Sequence, residues 1–476
     1  MLKTKKIVSL MLAMLMSMVV MLGCASASKV SGNKSYEDLI FDTTKVHTID
    51  ITMSKKDRAD QMKNPKDKTK YKVTVTIDGE KIEDVAFHTK GNSSLYLPVS
   101  AGKDKFSYGI DFGKYTNGKT YHGLDKLNLQ NNFSDGTAMK EYMAYWLFNQ
   151  MGVKAPLASF AWLKVNGEVQ GLYTALEEPG NSFLDRIAKG KGTLYKPEDS
   201  DMCLDDKEME SLFEGNSLAH NSDGGADLKY KDDKEESYPD IFENAQTTEY
   251  EDTRQKVIRA LKALSEKKDL EKYLETKEII QYFAIHNYLV NYDSYTGLML
   301  HNYCLYEHDG KLSILPWDYD ISFGTFPKTA VHGVVNDSTD MVNIGIDSPL
   351  GIVDEKDRPM WSWIVSDENY RNEYHKDMSK VMDVIESGAF KKEAKRVYDL
   401  IVPYIKKDPK GYFNAEKSKI AFDTYLKIAD LRAQSVRKQL DGKLATRSDE
   451  QNKKDQVDAS KIVIRDMGSS EDLFNK

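Results

Sequence analysis

Between Asn291 and Gly324 the chain reads NYDSYTGLMLHNYCLYEHDGKLSILPWDYDISFG. Asp293, Asn302, Asp318 and Asp320 fall around two apolar runs, Leu298 to Tyr306 and Lys311 to Leu315. Hard cations such as Mg²⁺ prefer carboxylate and amide oxygens. Phosphoryl transfer needs such a cation plus a carboxylate that orients an attacking hydroxyl. Two like charges directly after an apolar strand repel each other, and a divalent cation relieves that repulsion. Asp318 and Asp320 are therefore read as first and second metal ligands. Asn302 has two readings, a strand asparagine satisfied by its neighbours or a neutral-oxygen ligand beside Asp318.

These residues must be positioned by a hairpin. Both runs are strand-like, and Glu307-His-Asp-Gly310 is a turn. A hairpin centred near His308 and Asp309 puts Met299 opposite Asp318, so Asp293 and the Asp318-x-Asp320 pair emerge at one open end. Asn302 then lies about 10 Å further in along an ideal strand, and reaches the metal only if the strand is bent. The order Asp, Asn, hairpin, Asp, Phe-Gly is the layout of a protein kinase's catalytic and metal-binding loops. The first interval is nine residues here, Asp293 to Asn302, rather than roughly five in that motif.

The rest of the first half is sheet-rich. Tyr71 to Ile77 alternates apolar and polar residues, and Asp78-Gly79 is a tight-hairpin signal leading into Ile82 to Phe87. Ser107 to Phe112 is a short strand. Ser159 to Val165, Asn166-Gly167 and Val169 to Leu176 form another hairpin. Met139, Tyr142, Met143, Trp146 and Leu147 follow helical spacing, with Asp135 placed to cap the helix and Gly152 to close it. Lys90-Gly-Asn-Ser-Ser94 is a small polar loop after a strand, either a phosphate cradle of amides and a lysine or a plain turn. From Thr253 the pattern becomes helical, continuing through Asp367 to Lys407 and Asn414 to Leu440. Glu198 to Thr247 reads as an acidic surface insertion. The charged segment after Asp441 is expected to be mostly disordered.

Several of these segments together carry a family resemblance. They are Lys90-Gly-Asn-Ser-Ser94, Lys126-Leu-Asn-Leu129, Asp135 with the helix to Met151-Gly-Val153, Val165-Asn-Gly167 and Gly171-Leu-Tyr-Thr-Ala-Leu-Glu-Glu178. Leu194-Tyr-Lys196, Gly225-Ala-Asp-Leu228, Asn291-Tyr-Asp-Ser294, His301-Asn-Tyr303 and Leu315 to Gly324 continue the series. In this order, from about Lys45 to Leu440, the chain resembles the CotH kinase family of atypical secretory protein kinases.

The resemblance implies an α+β, two-lobed kinase-like fold over residues 37–440. The sheet-rich lobe would span about 45–195, the acidic insertion 198–247 and the helical lobe about 250–440. It implies ATP- and Mg²⁺-dependent (or Mn²⁺-dependent) phosphoryl transfer to a protein hydroxyl, with Asp293 as the catalytic aspartate. Glu178 and Glu141 compete to be the acid paired with a phosphate-binding lysine, with Glu178 preferred. Lys90 and Lys196 are placed at the nucleotide. His301 is read as support for the loop. The alternative is a cell-surface or spore-coat structural or adhesion module with unused catalysis.

The 476 residues carry a net charge of −8, which becomes −11 once a leader holding Lys3, Lys5 and Lys6 is removed. That argues against a nucleic-acid partner. Residues 1–23 read as a signal peptide, and Met21-Leu-Gly-Cys24 as a lipoprotein junction followed by a polar tether, 24–36. Ordinary secretion and an uncleaved anchor are the competing readings. The protein is thus expected outside the cytoplasm as a monomer, touching the membrane only through a lipid on Cys24. Its partners would be ATP and an envelope or spore-coat protein. Cys304 in its apolar strand reads as a buried small hydrophobe, and Cys203 lies in the acidic stretch.

Overall fold

The computed structural model describes residues 34–199, 222–297, 299–326, 338–350 and 353–474. Its first half is a seven-stranded closed barrel. The strands are β1 (Val46–Thr52), β2 (Tyr71–Ile77), β3 (Glu80–Lys90), β4 (Ser107–Asp111), β5 (Lys126–Gln130), β6 (Ala158–Val165) and β7 (Glu168–Glu177). Around the barrel the order is β1-β2-β3-β4-β5-β7-β6. Parallel pairing of Val46–Ile51 with Phe160–Val165 closes it; every other pairing is antiparallel. The alternation along β2 explains its place: Tyr71, Val73, Val75 and Ile77 are buried in one apolar cluster with Phe87, Tyr108, Leu127, Leu163 and Tyr173. The hairpins turn on Asp78-Gly79 and Asn166-Gly167, all four residues at positive φ. That geometry matches the strand twist and suits Asx-Gly.

A second sheet holds β8 (Thr193–Tyr195), β9 (Tyr303–His308) and β10 (Lys311–Pro316), in the order β10-β9-β8. The longer helices are α1 (Lys55–Lys63), α2 (Ser93–Ser100), α3 (Lys140–Gln150), α4 (Asn181–Ala188), α5 (Thr253–Glu266) and α6 (Thr276–Leu289). They continue with α7 (Pro359–Ser366), α8 (Glu368–Glu386), α9 (Ala389–Ile405) and α10 (Ala415–Leu440). The fold is therefore mixed α+β. Helix α6 is buried on every face from Tyr282 to Leu289, where its polar side chains His286 and Asn287 make hydrogen bonds. Its C-terminus is tied to the segment after β10: Phe323 N donates to Leu289 O, Gly324 N to Val290 O, and Asn291 Nδ2 to Asp318 O.

Three expectations need correction. The hairpin pairs Tyr303 with Pro316 and His308 with Lys311, which shifts the register by two residues and moves Met299 away from Asp318. The cause is the turn: Asp309 and Gly310, at φ 51° and 84°, form a two-residue loop one position later than expected, while positive φ at Leu300 and Asn302 makes β9 begin only at Tyr303. The acidic stretch is no surface insertion where it is described. Its residues 200–221, with Cys203, lie outside the described residues, but Leu228, Tyr238 and Ile241 are buried in the main core. The segment after Asp441 is packed, with Val457, Ala459 and Met467 buried against the helices. Mass burial of apolar side chains outweighs its high charge there. Cys304 is free and buried, as expected, and burial pushes its thiol up to about 12.

Candidate active site

A cleft of about 400 Å³ opens between the barrel and the β9–β10 hairpin. The barrel supplies Lys90 at the end of β3, the Gly91–Ser94 loop into α2, and Gln130 at the end of β5. The opposite wall supplies Asp293, His301, Asn302, Trp317, Asp318 and Asp320, with Lys196 and Glu198 at the side. One face thus carries cations and the other carboxylates.

Asp293 sits in the turn after α6 and is held at both oxygens. His301 Nε2 lies 2.8 Å from Oδ1, and Asn302 Nδ2 donates to Oδ2 at 2.9 Å. The positive φ at Asn302 brings its side chain out of the strand path and onto Asp293. The bend demanded by the sequence is therefore present. Its amide nitrogen is spent on Asp293, which turns its carbonyl oxygen into the remaining acceptor. Burial pulls the His301 imidazole down, but the Asp293 charge and hydrogen bond, with Asp318 beyond, raise it above its ordinary value.

Asp318 also stands at positive φ, 57°. Its amide donates to Tyr145 Oη at 3.0 Å, and Tyr145 donates to Glu141 Oε1 at 2.8 Å. Ser134 Oγ donates to Asp320 Oδ2 at 3.3 Å. Burial, then the Asp293 charge, raises the Asp318 carboxyl against the opposing pull of Lys90 and Lys196. Burial, then Asp318 and Glu141, holds Asp320 well above the carboxylate range. Glu141, in α3, is raised by burial and by Asp318, and its Oε2 has no hydrogen-bond partner among the described residues. Asp293, Asp318 and Asp320 thus line the cleft, with the buried Glu141 acting on them from behind.

The cations face them. Lys90 Nζ lies 5.5 Å and Lys196 Nζ 5.8 Å from the centre of the Trp317 ring, within cation–π range. Burial lowers the Lys90 ammonium, with Lys196 acting the same way and Glu178 opposing. Lys196 is bound by Glu198 at 2.9 Å, whose charge outweighs burial and raises it. Glu178 is bonded to Lys126 at 3.5 Å rather than to Lys90, which it reaches through charge alone.

The donor set fits a hard cation. Asp318 and Asp320 carboxylates and the Asn302 amide oxygen are oxygen donors, and burial first, then neighbouring carboxylates, disfavours both aspartate charges in a way a cation would offset. Among the described residues no three His, Cys, Asp or Glu already converge as a finished cage. Mg²⁺ characteristically takes one or two carboxylates and completes its shell with water and phosphate oxygens.

The structure brings Asp293, Asn302, Asp318, Asp320, Lys90 and Lys196 to one cleft, whereas Glu178, also placed at the nucleotide from sequence, does not line it and pairs with Lys126. Sequence reasoning missed Ser134, Tyr145, Trp317 and Glu198. Glu198 and Trp317 were within reach, two residues from Lys196 and next to Asp318; Ser134 and Tyr145 meet the site only across long sequence separations.

The family model described as CotH kinase protein matches residues 87–436. Inner spore coat protein H of Bacillus subtilis (strain 168) is 23% identical over 308 residues, covering 64% of this chain and 75% of that protein. Inner spore coat protein H-like protein of the same organism is 36% identical over 81 residues, 17% of this chain and 25% of that protein. The matched span takes in both walls of the cleft and most of the chain, which belongs to the CotH kinase protein family.

Proposed function

We propose that this chain is an atypical kinase that moves the γ-phosphoryl of ATP to protein hydroxyl groups. The barrel and the helical body are read as the two lobes of a kinase-like fold. The observation that carries the reading is the cleft itself, with Asp293, Asn302, Asp318 and Asp320 facing Lys90 and Lys196. Asp318, Asp320 and the Asn302 oxygen would hold Mg²⁺ or Mn²⁺, which supplies charge neutralisation at the phosphates when bound. Lys90 and Lys196 meet the phosphate charge, with Glu178 tempering it from the edge. Asp293 accepts the proton of the acceptor hydroxyl, its orientation held by His301 and Asn302.

The acceptor class follows from the relatives' names and from the leader: a protein of the cell envelope or spore coat, met by a lipid-anchored enzyme. Residues 1–33 lie outside the described residues. Mass spectrometry of the mature N-terminus tests the anchor; a diacylglycerol thioether on Cys24 is expected, and a free terminus at Ser28 counts against it.

A second reading draws on the same names, which are those of coat proteins: a structural module with idle chemistry. Labelled ATP with Mg²⁺ or Mn²⁺, added to the mature protein and envelope proteins, separates the two. Transfer is expected from the wild type. Asp293→Asn is expected to keep nucleotide affinity within a few-fold and to cut transfer by about 10²–10⁴. Nucleotide binding without transfer in the wild type favours the structural module, and no binding removes the kinase reading.

A further inference from the structure

The matched family span ends at residue 436, yet the chain beyond α10 returns to loops that adjoin the cleft. After Asn343 pairs with Val457 through both backbone atoms, the segment runs past Ser338, which donates to Ile462 O. A short turn, Ile464–Met467, buries Met467 completely in the main core. Met467 O then accepts from Gly136 N at 2.9 Å. Gly468, at φ +104°, lies so close to the 134–136 loop that a Cβ there would stand 2.5 Å from Gly136 N and 2.7 Å from Ser134 O. Only glycine meets both demands. The following turn, Ser470–Leu473, puts Leu473 into a small apolar cluster with Leu97 of α2 and Phe133.

Both docking points are walls of the site. Ser134 is the hydroxyl that donates to Asp320, and Asp135 Oδ2 accepts the Lys140 amide that starts α3, the helix of Glu141 and Tyr145. Helix α2 begins at the Gly91–Ser94 loop on the cation side of the cleft. Asn131 joins the two docking points, its Nδ2 donating to Ser94 O at 3.0 Å.

We infer that Ile464–Leu473 is a positioning strap: pinned through Gly468 and Leu473, it holds the Ser134 loop against Asp320 and α2 over the phosphate side of the cleft. Its effect on nucleotide rests on the phosphoryl-transfer reading; its effect on the loop does not. Lifting the strap frees Ser134 and loosens Asp320, so affinity for ATP·Mg²⁺ falls while proton removal at Asp293 is spared.

The full chain tests this with Gly468→Val, whose Cβ meets backbone, and Leu473→Ala, a milder change. Val381→Ala, in the buried face of α8, serves as a destabilised control away from the strap. Hydrogen exchange of residues 131–138 and 93–100 in the nucleotide-free protein is expected to rise about tenfold in both strap variants and not in the control. Affinity for ATP with Mg²⁺ is expected to fall about 10- to 100-fold, as for other partners that orient a ligand, with kcat within a few-fold. Unchanged exchange at 131–138 in both variants overturns the strap, as does faster exchange with affinity kept. If the wild type binds no nucleotide, the kinase reading fails and the exchange arm alone decides.

Discussion

Burial and neighbouring carboxylates raise both Asp318 and Asp320, so their charges are costly in the folded chain. A carboxyl raised in the folded state binds protons more tightly there than in the unfolded chain. Its favourable contribution is complete below the unfolded pKa and is lost as pH rises through the folded one. At neutral pH the metal-free protein is therefore destabilised by this pair. Asp320→Asn is expected to raise the thermal midpoint of the chelator-treated protein by a few degrees and to abolish stabilisation by added Mg²⁺. A lower midpoint in chelator, or an intact Mg²⁺ response, counts against the site; scanning fluorimetry reads both. Asp293, Asp318 and Asp320 were legible because side-chain type and order along the chain already restrict the chemistry. Ser134 was not: a lone serine carries no signal until the fold sets it 3.3 Å from a carboxylate far along the chain.

At the scale of elements, α6 decides where the site lies, and His286 is its staple. Nδ1 lies 2.7 Å from Tyr319 Oη and Nε2 2.7 Å from Thr296 Oγ1, so one imidazole ties the helix to the loops on either side of the hairpin. Burial pushes it down to about 3. The unfolded chain therefore binds the extra proton between its ordinary pKa near 6.5 and that value, and stability falls with acidification across the window. Chemical denaturation at about pH 6 and pH 5 is expected to show His286→Gln with a pH slope smaller by about 1.4 kcal/mol per unit. An equal slope would show that the imidazole is not the buried neutral base. The strands and the Asx-Gly turns were readable from period and turn chemistry, whereas the hairpin register was not. The two-residue turn at Asp309-Gly310 sets that register, and positive φ at Leu300 and Asn302 takes two positions out of the strand that side-chain pattern alone assigns to it.

Over the whole molecule, barrel and helices are joined by a buried ion pair, Lys105 with Asp408 at 2.8 Å, both 4% exposed. Asp408 also accepts from the Leu172 and Lys410 amides, and its carboxylate fills the space beside Gly171, where a Cβ would stand 2.2 Å away. Removing one partner leaves the other charge buried. Lys105→Met is expected to cost about 3–5 kcal/mol by denaturation, and the double variant with Asp408→Asn to recover part of that loss. A double variant no more stable than Lys105→Met alone would mean that the pair is not the clamp. The oxygen-donor set, the negative charge, the alternating strands and the family resemblance are all legible in the amino-acid order. Each of these rests on residue type and spacing within short windows. Only the tertiary structure decided that the sheet closes through a parallel β1–β6 pairing, that the hairpin is offset by two, and that Glu178 bonds Lys126. The packing of the charged segment after Asp441 into the core and against the 134–136 loop belongs with these. Those outcomes depend on hydrogen bonds and burial between residues far apart in the chain, which local pattern does not encode.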